Sequence, residues 1–135
     1  DLFSGVGFFF FFLEDSFEKI VAVERDANCL RLANKNLKAS ATFVSEPAED
    51  WLGKNIVSND VSLIVDPPRT GLPQSAADAL CKSALSRLIY VSCNPVTLAR
   101  DVSLLAKNGF TLDLLEGFAF YPQTPHLEML AVLRR

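Results

Sequence analysis

Asp1-Leu2-Phe3-Ser4-Gly5-Val6-Gly7 decides how the rest of the chain is read. It has the form of a strand end running into a glycine turn and then a helix. Glycines there let the backbone come close to a ligand, and the helix behind them offers free N–H groups. The remainder alternates β-rich with helical runs, which predicts an α/β domain around a mainly parallel sheet. Strands are predicted at Ile20–Glu24, Thr42–Ser45, Val61–Asp66, Leu88–Ser92, Phe110–Glu116 and Leu127–Leu133. Several are nearly continuous apolar runs, as expected of strands covered on both faces. The last two are joined by Gly117–His126, which carries Pro122 and Pro125 and no helical pattern, so an antiparallel last strand is expected. A first strand should lead into the glycine turn and is largely missing, so the chain reads as a fragment of a longer protein.

The helices have legible ends. Asp26 is a candidate cap for a helix whose Ala27, Leu30, Ala33 and Leu37 fall on one stripe. Asn94 is another, with Pro95 at the first helical position, Leu98, Val102 and Leu105 spaced for burial, and Gly109 at the left-handed stop. A further helix, rich in Ala and Ser, is expected around Ser75–Leu85.

With 135 residues, half of them apolar, the chain suits one compact domain spanning residues 1–135. The phenylalanine run from Phe8 to Phe12 ends at Glu14-Asp15, far short of a membrane span. Three cysteines without a CxxC pair imply neither a disulfide framework nor a zinc site, and a reducing, cytoplasmic setting is expected. The net charge of −3 argues against a broad phosphate-binding surface on this segment.

Four short motifs carry chemistry. In the opening turn Phe10 stands where a dinucleotide fingerprint needs its third glycine, so the turn suits S-adenosylmethionine better than a pyrophosphate. Glu24, closing the next strand, is placed to accept hydrogen bonds from ribose hydroxyls; each feature alone is equally a plain turn or a solvated strand end. Asp66-Pro67-Pro68-Arg69 ends a strand on the ligand side of an open sheet, with the prolines stiffening the loop and Asp66 a fixed acceptor. In isolation it could also be a proline-rich turn. Amino-group methyltransferases place an aromatic after the two prolines, and Arg69 argues against that reaction. Ser92-Cys93-Asn94-Pro95 sets a thiol at a strand-to-helix corner, where helix N–H groups favour thiolate. Cys29 and Cys81 lie on helix faces and read as inert packing. Pro125-His126-Leu127-Glu128 holds the only histidine and a carboxylate, which gain meaning only together with Cys93.

Taken together, Asp1 to Gly7, Asp66-Pro-Pro-Arg-Thr-Gly71, Val91-Ser-Cys-Asn-Pro95, Leu98-Ala-Arg-Asp101 and Pro125-His-Leu-Glu128 resemble the RNA uracil-5 methyltransferases. The resemblance runs from Asp1 to the C-terminus. It implies a Rossmann-like class I S-adenosylmethionine-dependent methyltransferase fold, with an RNA substrate, tRNA or ribosomal RNA. It also implies Cys93 as the nucleophile on uracil C6 and Glu128 as the base that removes the C5 proton. Phe3, Gly5, Gly7, Glu24 and Asp66 are the implied cofactor residues. Ser4 replaces a small residue or cysteine harmlessly, whereas Phe8 stands where a polar residue is usual. The family's N-terminal RNA-binding part is expected to lie outside this chain, which accounts for the acidic balance. Two other readings stay open. One is an RNA cytosine-5 methyltransferase, which would place a second cysteine where Arg69 stands. The other is a catalytically silent cofactor- or RNA-binding module.

Overall fold

The computed structural model describes all residues except Glu14, residues 37–40, Ile56 and the side chain of Asn36. The glycine turn leads into α1 (Phe8–Leu13), followed by β1 (Ile20–Val23), α2 (Ala27–Asn36), β2 (Ala41–Val44) and α3 (Ala48–Lys54). Then come β3 (Ser62–Val65), α4 (Gln74–Lys82), β4 (Arg87–Ser92), α5 (Pro95–Lys107), β5 (Thr111–Phe118) and β6 (Glu128–Arg134). Every predicted strand is present, within two residues at either end. The connection between the last two strands is shorter than expected, because β5 continues through Gly117 and Phe118.

Sheet pairing explains the position of the opening residues. β1 pairs in parallel with β2, and β3 with β4; β6 then runs antiparallel to both β4 and β5. Leu2 joins the two groups, forming parallel bridges to Val23 on one side and Val65 on the other. Its amide donates to the Ile64 carbonyl at 2.9 Å, and the Val23 amide donates to the Asp1 carbonyl at 2.8 Å. Strand order is therefore β2, β1, the Leu2 stub, β3, β4, β6, β5, with the chain departing to opposite sides of the stub. In such a sheet the carboxyl ends of the strands beside that divide form a crevice suited to a ligand.

The core lies under this crevice. Leu2, Val23, Val65, Leu88, Tyr90 and Leu133 are buried in the sheet, with Leu52, Leu80, Leu98 and Leu105 packed from the helices. Asp26 does cap α2, its carboxylate accepting from the Asn28 amide at 2.8 Å. Leu30 and Ala33 are buried as expected, but Ala27 is exposed because the stripe meets the sheet only from its second turn; Leu37 lies outside the described residues. Asn94 caps α5 through the Val96 amide, and Gly109 adopts φ +94° after the last turn. In α1 only Phe10 is buried, stacked 6.0 Å from Phe43, while Phe8, Phe11 and Phe12 face outward. β5 departs most from expectation. All eight of its residues are exposed, because it is the edge strand and only β6 pairs with it. Among the described residues no helix is long and apolar enough to cross a membrane.

Candidate active site

The glycine turn is held from the next strand. Phe3, Gly5 and Gly7 have φ of 62°, 53° and 84°, so the chain coils left-handed as it leaves Leu2. Glu24 fixes this shape: one carboxylate oxygen accepts from the Gly5 amide at 3.0 Å and the other from the Asp26 amide at 2.9 Å. Glu24, read from the sequence as an acceptor for ribose hydroxyls, thus also orders the turn. Each oxygen keeps a lone pair, so the same carboxylate can order the turn and still receive a hydroxyl. A Cβ on Gly5 would meet nothing within 4 Å, so glycine is required there by φ and not by crowding. Two polar groups beside the turn, the Asp1 carboxylate and the Ser4 hydroxyl, are buried and find no partner among the described residues.

In front of the turn lies a cavity of about 520 Å³, within the size range of small-molecule sites. Phe3, Glu24, Pro47, Asp66, Pro68 and Thr70 are among its walls. The structure therefore brings together Phe3, Glu24 and Asp66, whereas Gly5 and Gly7 shape the turn without lining the cavity. Asp66 opens on this space and is exposed to solvent, yet partial desolvation at the strand end pushes its carboxyl up to about 6, helped by the negative charge of Glu128. Pro47 and Glu49, from the start of α3, also contribute. Sequence reading missed them because α3 is only seven residues long and opens at a proline without a side-chain cap.

Cys93 and Glu128 lie at the same end of neighbouring strands. Ser92 in β4 pairs with Met129 in β6, and the two strands are antiparallel. Cys93, just after the end of β4, and Glu128, at the start of β6, are therefore one step further along the same pair. Asp66 directly follows β3, the neighbour of β4 on the other side, so three adjacent strand ends present carboxylate, thiol and carboxylate in a row. Both Cys93 and Glu128 are partly exposed. His126 is exposed, edge-on to Tyr121 at 6.4 Å. Cys29 and Cys81 sit partly buried on α2 and α4, and desolvation with nearby acids (Asp26 and Asp78) raises both thiols, the opposite of activation.

The loop after Asp66 is stitched to the Cys93 corner. Asn94 Nδ2 donates to the Arg69 carbonyl at 2.9 Å, and the Thr97 hydroxyl to the same oxygen at 3.2 Å. The Asn94 amide in turn donates to the Ser92 hydroxyl at 3.1 Å. The two bonds to the Arg69 carbonyl span 25 and 28 residues, so sequence patterns gave no sign of them.

A family model described as tRNA (uracil-5-)-methyltransferase matches residues 54–135, the part that holds Asp66, Cys93 and Glu128. The chain belongs to this family. An uncharacterized RNA methyltransferase of Treponema denticola is 35% identical over an alignment covering 100% of this chain and 38% of that protein. One from Aquifex aeolicus is 34% identical, with 98% and 32% covered. Among solved structures, the tRNA (uracil-54, C5)-methyltransferase of Pyrococcus abyssi, in complex with S-adenosyl-L-homocysteine, superposes with a TM-score of 0.85 at 30% identity. It is covered over 33% of its length, and this chain over 98%. A Listeria monocytogenes S-adenosylmethionine-dependent methyltransferase superposes at 0.79 with 11% identity, covering 100% of this chain and 89% of that one, a likeness of fold alone. The fold is thus the Rossmann-like methyltransferase fold with an antiparallel strand inserted before the edge. The chain spans about a third of the length of the family members it matches.

Proposed function

We propose that this chain is the catalytic part of an enzyme that methylates carbon 5 of a uridine in tRNA or ribosomal RNA, with S-adenosylmethionine as donor. The observation that carries this reading is the row of Asp66, Cys93 and Glu128 on adjacent strand ends beside a cavity of cofactor size. Family membership adds the substrate class, and the P. abyssi enzyme, by its description, acts on uracil 54 of tRNA.

The cavity residues fit the proposed cofactor. Phe3 and Pro68 offer apolar walls to an adenosyl group, and the free lone pairs of Glu24 suit a ribose. A sulfonium cofactor supplies an electrophilic methyl group to whatever carbon nucleophile the protein generates beside it.

The chain's own residues account for that nucleophile. Uracil C5 is too weakly nucleophilic to react unaided. The Cys93 thiolate adds to C6, its electron pair forming the S–C6 bond while the C5–C6 π electrons move towards C5 and O4. C5, now enolate-like, accepts the methyl group. Glu128 then removes the C5 proton, the π bond reforms and the S–C6 bond breaks, returning thiolate. The pyrimidine must leave its stack to reach Cys93, since the reacting atoms are hidden within a paired or stacked base. Phe118 at the end of β5 and Phe120, stacked 5.8 Å apart, lie exposed with Tyr121 on the way to Glu128 and give neighbouring bases aromatic faces to rest on. Cytoplasmic RNA is the proposed setting.

Arg69 after Pro67-Pro68 favours uridine over cytidine, because the cytosine reaction uses a second cysteine there. The test is methyl transfer by the full-length gene product to RNA carrying uridine or cytidine at the target, with nucleosides identified by mass spectrometry. 5-Methyluridine is expected; 5-methylcytidine would replace the reading, and no product with either would leave a silent module.

A further inference from the structure

One buried carboxylate takes no part in the chemistry above. Asp101 lies within α5, on the side of the helix that also carries Leu98 and Leu105, and only 2% of its surface is exposed. Both oxygens are fully engaged. Oδ2 accepts from the Tyr90 hydroxyl at 2.7 Å and the Leu72 amide at 2.8 Å. Oδ1 receives the Arg100 guanidinium, from Nε at 2.8 Å and Nη2 at 2.7 Å. The same guanidinium donates onward to the carbonyls of Thr70 and Leu72, at 3.1 and 3.3 Å. Tyr90 is fully buried in β4, two residues before Ser92. One side chain therefore holds the strand that delivers Cys93, the helix that follows it, and the loop that begins at Asp66.

The loop is fitted closely around this group. Gly71 has φ +77°, and a Cβ there would sit 2.6 Å from both Arg100 Nη2 and Asp101 Oδ2. Burying an ionised carboxylate is costly, and an apolar residue on the same stripe could fill the space as Leu98 and Leu105 do. What an apolar residue lacks is direction: hydrogen bonds fix both distance and angle between the segments they join.

We propose that Asp101 is a positioning residue: through Tyr90, Leu72 and Arg100 it sets the Asp66–Leu72 loop against the Cys93 corner, and so sets the distance between cofactor cavity and nucleophile. The structural half of this inference stands by itself; its catalytic consequence rests on the proposed uridine methylation.

The test compares Asp101→Asn, Tyr90→Phe and the double variant in the full-length gene product. Leu85→Ala, a core truncation just before the far end of β4, is the control for lost stability alone. Misplacement of a reacting group by a fraction of an ångström should cost about tenfold or more in kcat for Asp101→Asn, with KM for RNA nearly unchanged. Tyr90→Phe should lose less, and the double variant no more than Asp101→Asn, because the two share one interaction. Leu85→Ala should lower Tm yet keep kcat at temperatures where it is folded. Two further readouts do not depend on turnover. In a companion Asp101→Ala variant, which leaves no acceptor, the Leu72 amide should exchange its hydrogen about tenfold faster, and in Asp101→Asn the alkylation rate of Cys93 should change. If Asp101→Asn lowers Tm but keeps wild-type kcat, or if its loss adds fully to that of Tyr90→Phe, the positioning role is overturned. Should the parent protein transfer no methyl group, unchanged Leu72 protection in Asp101→Ala would still refute the clamp, and faster exchange would support it.

Discussion

Replacing Asp66 by asparagine should make the protein more stable and its cofactor site worse. Partial desolvation of an otherwise exposed side chain, with the charge of Glu128 behind it, raises the Asp66 carboxyl from 3.8 to about 6. A carboxyl whose folded value is raised favours the folded state most below its unfolded value, and that contribution fades as pH climbs through the folded value. Above pH 6, then, the folded protein carries an ionised Asp66 at a cost. A rise of this size corresponds to roughly 3 kcal/mol in a sealed interior at 1.4 kcal/mol per tenfold change in proton affinity; because Asp66 opens on the cavity, water screens it and about 1 kcal/mol is the fitting magnitude. Urea titrations of ligand-free protein at pH 8 and pH 4 measure this directly. Asp66→Asn should be stabilised by about 1 kcal/mol at pH 8 and match the parent near pH 4, where both side chains are neutral. Affinity for S-adenosylmethionine, measured by calorimetry, should fall in the parent as pH drops through 6, and be weak and nearly pH-independent in the variant. Equal stability of the two proteins at pH 8, with equal cofactor affinity, would refute the placement of Asp66 as a strained carboxylate facing the cofactor.

Two other substitutions probe the scaffold. Gly71→Ala combines a left-handed φ with contacts of 2.6 Å to Arg100 and Asp101 and should cost about 2 kcal/mol or more in a denaturant melt, whereas a cost under half a kcal/mol would show that the loop relaxes freely. Glu24→Gln removes one of the two acceptors that hold the Gly5 and Asp26 amides; it should lower stability by about 1 kcal/mol and weaken cofactor binding about tenfold in calorimetry. Undiminished binding would remove Glu24 from the ribose.

How far the sequence reached depends on whether the deciding contacts are local. Strands β1 to β4 are short apolar runs between turn residues, and their burial in a parallel sheet follows from that pattern. The caps at Asp26 and Asn94 were legible because a cap bonds to amides two residues away. β5 was legible as a strand through Leu112, Leu114 and Leu115, but not as the exposed edge, because strand order is set by pairing between distant segments. The same limit applies to the site. Cys93 and Glu128 can be singled out by residue type, yet their nearness depends on β6 entering between β4 and β5, which no spacing along the chain encodes. Asp101 offered one local sign, a carboxylate three residues after Leu98 and four before Leu105. Its partners Leu72 and Tyr90 come from other elements and became visible only in three dimensions.

Incubating the full-length gene product with S-adenosylmethionine and RNA containing 5-fluorouridine tests the catalytic row most directly, since fluorine at C5 leaves no proton for Glu128 to take. A protein–RNA adduct resistant to denaturing gels is expected, mapped by mass spectrometry to Cys93 and absent in Cys93→Ala, while Glu128→Gln should accumulate a similar adduct even with ordinary uridine. Methyl transfer that persists in Cys93→Ala, or an adduct mapped to Cys29 or Cys81, would contradict the account.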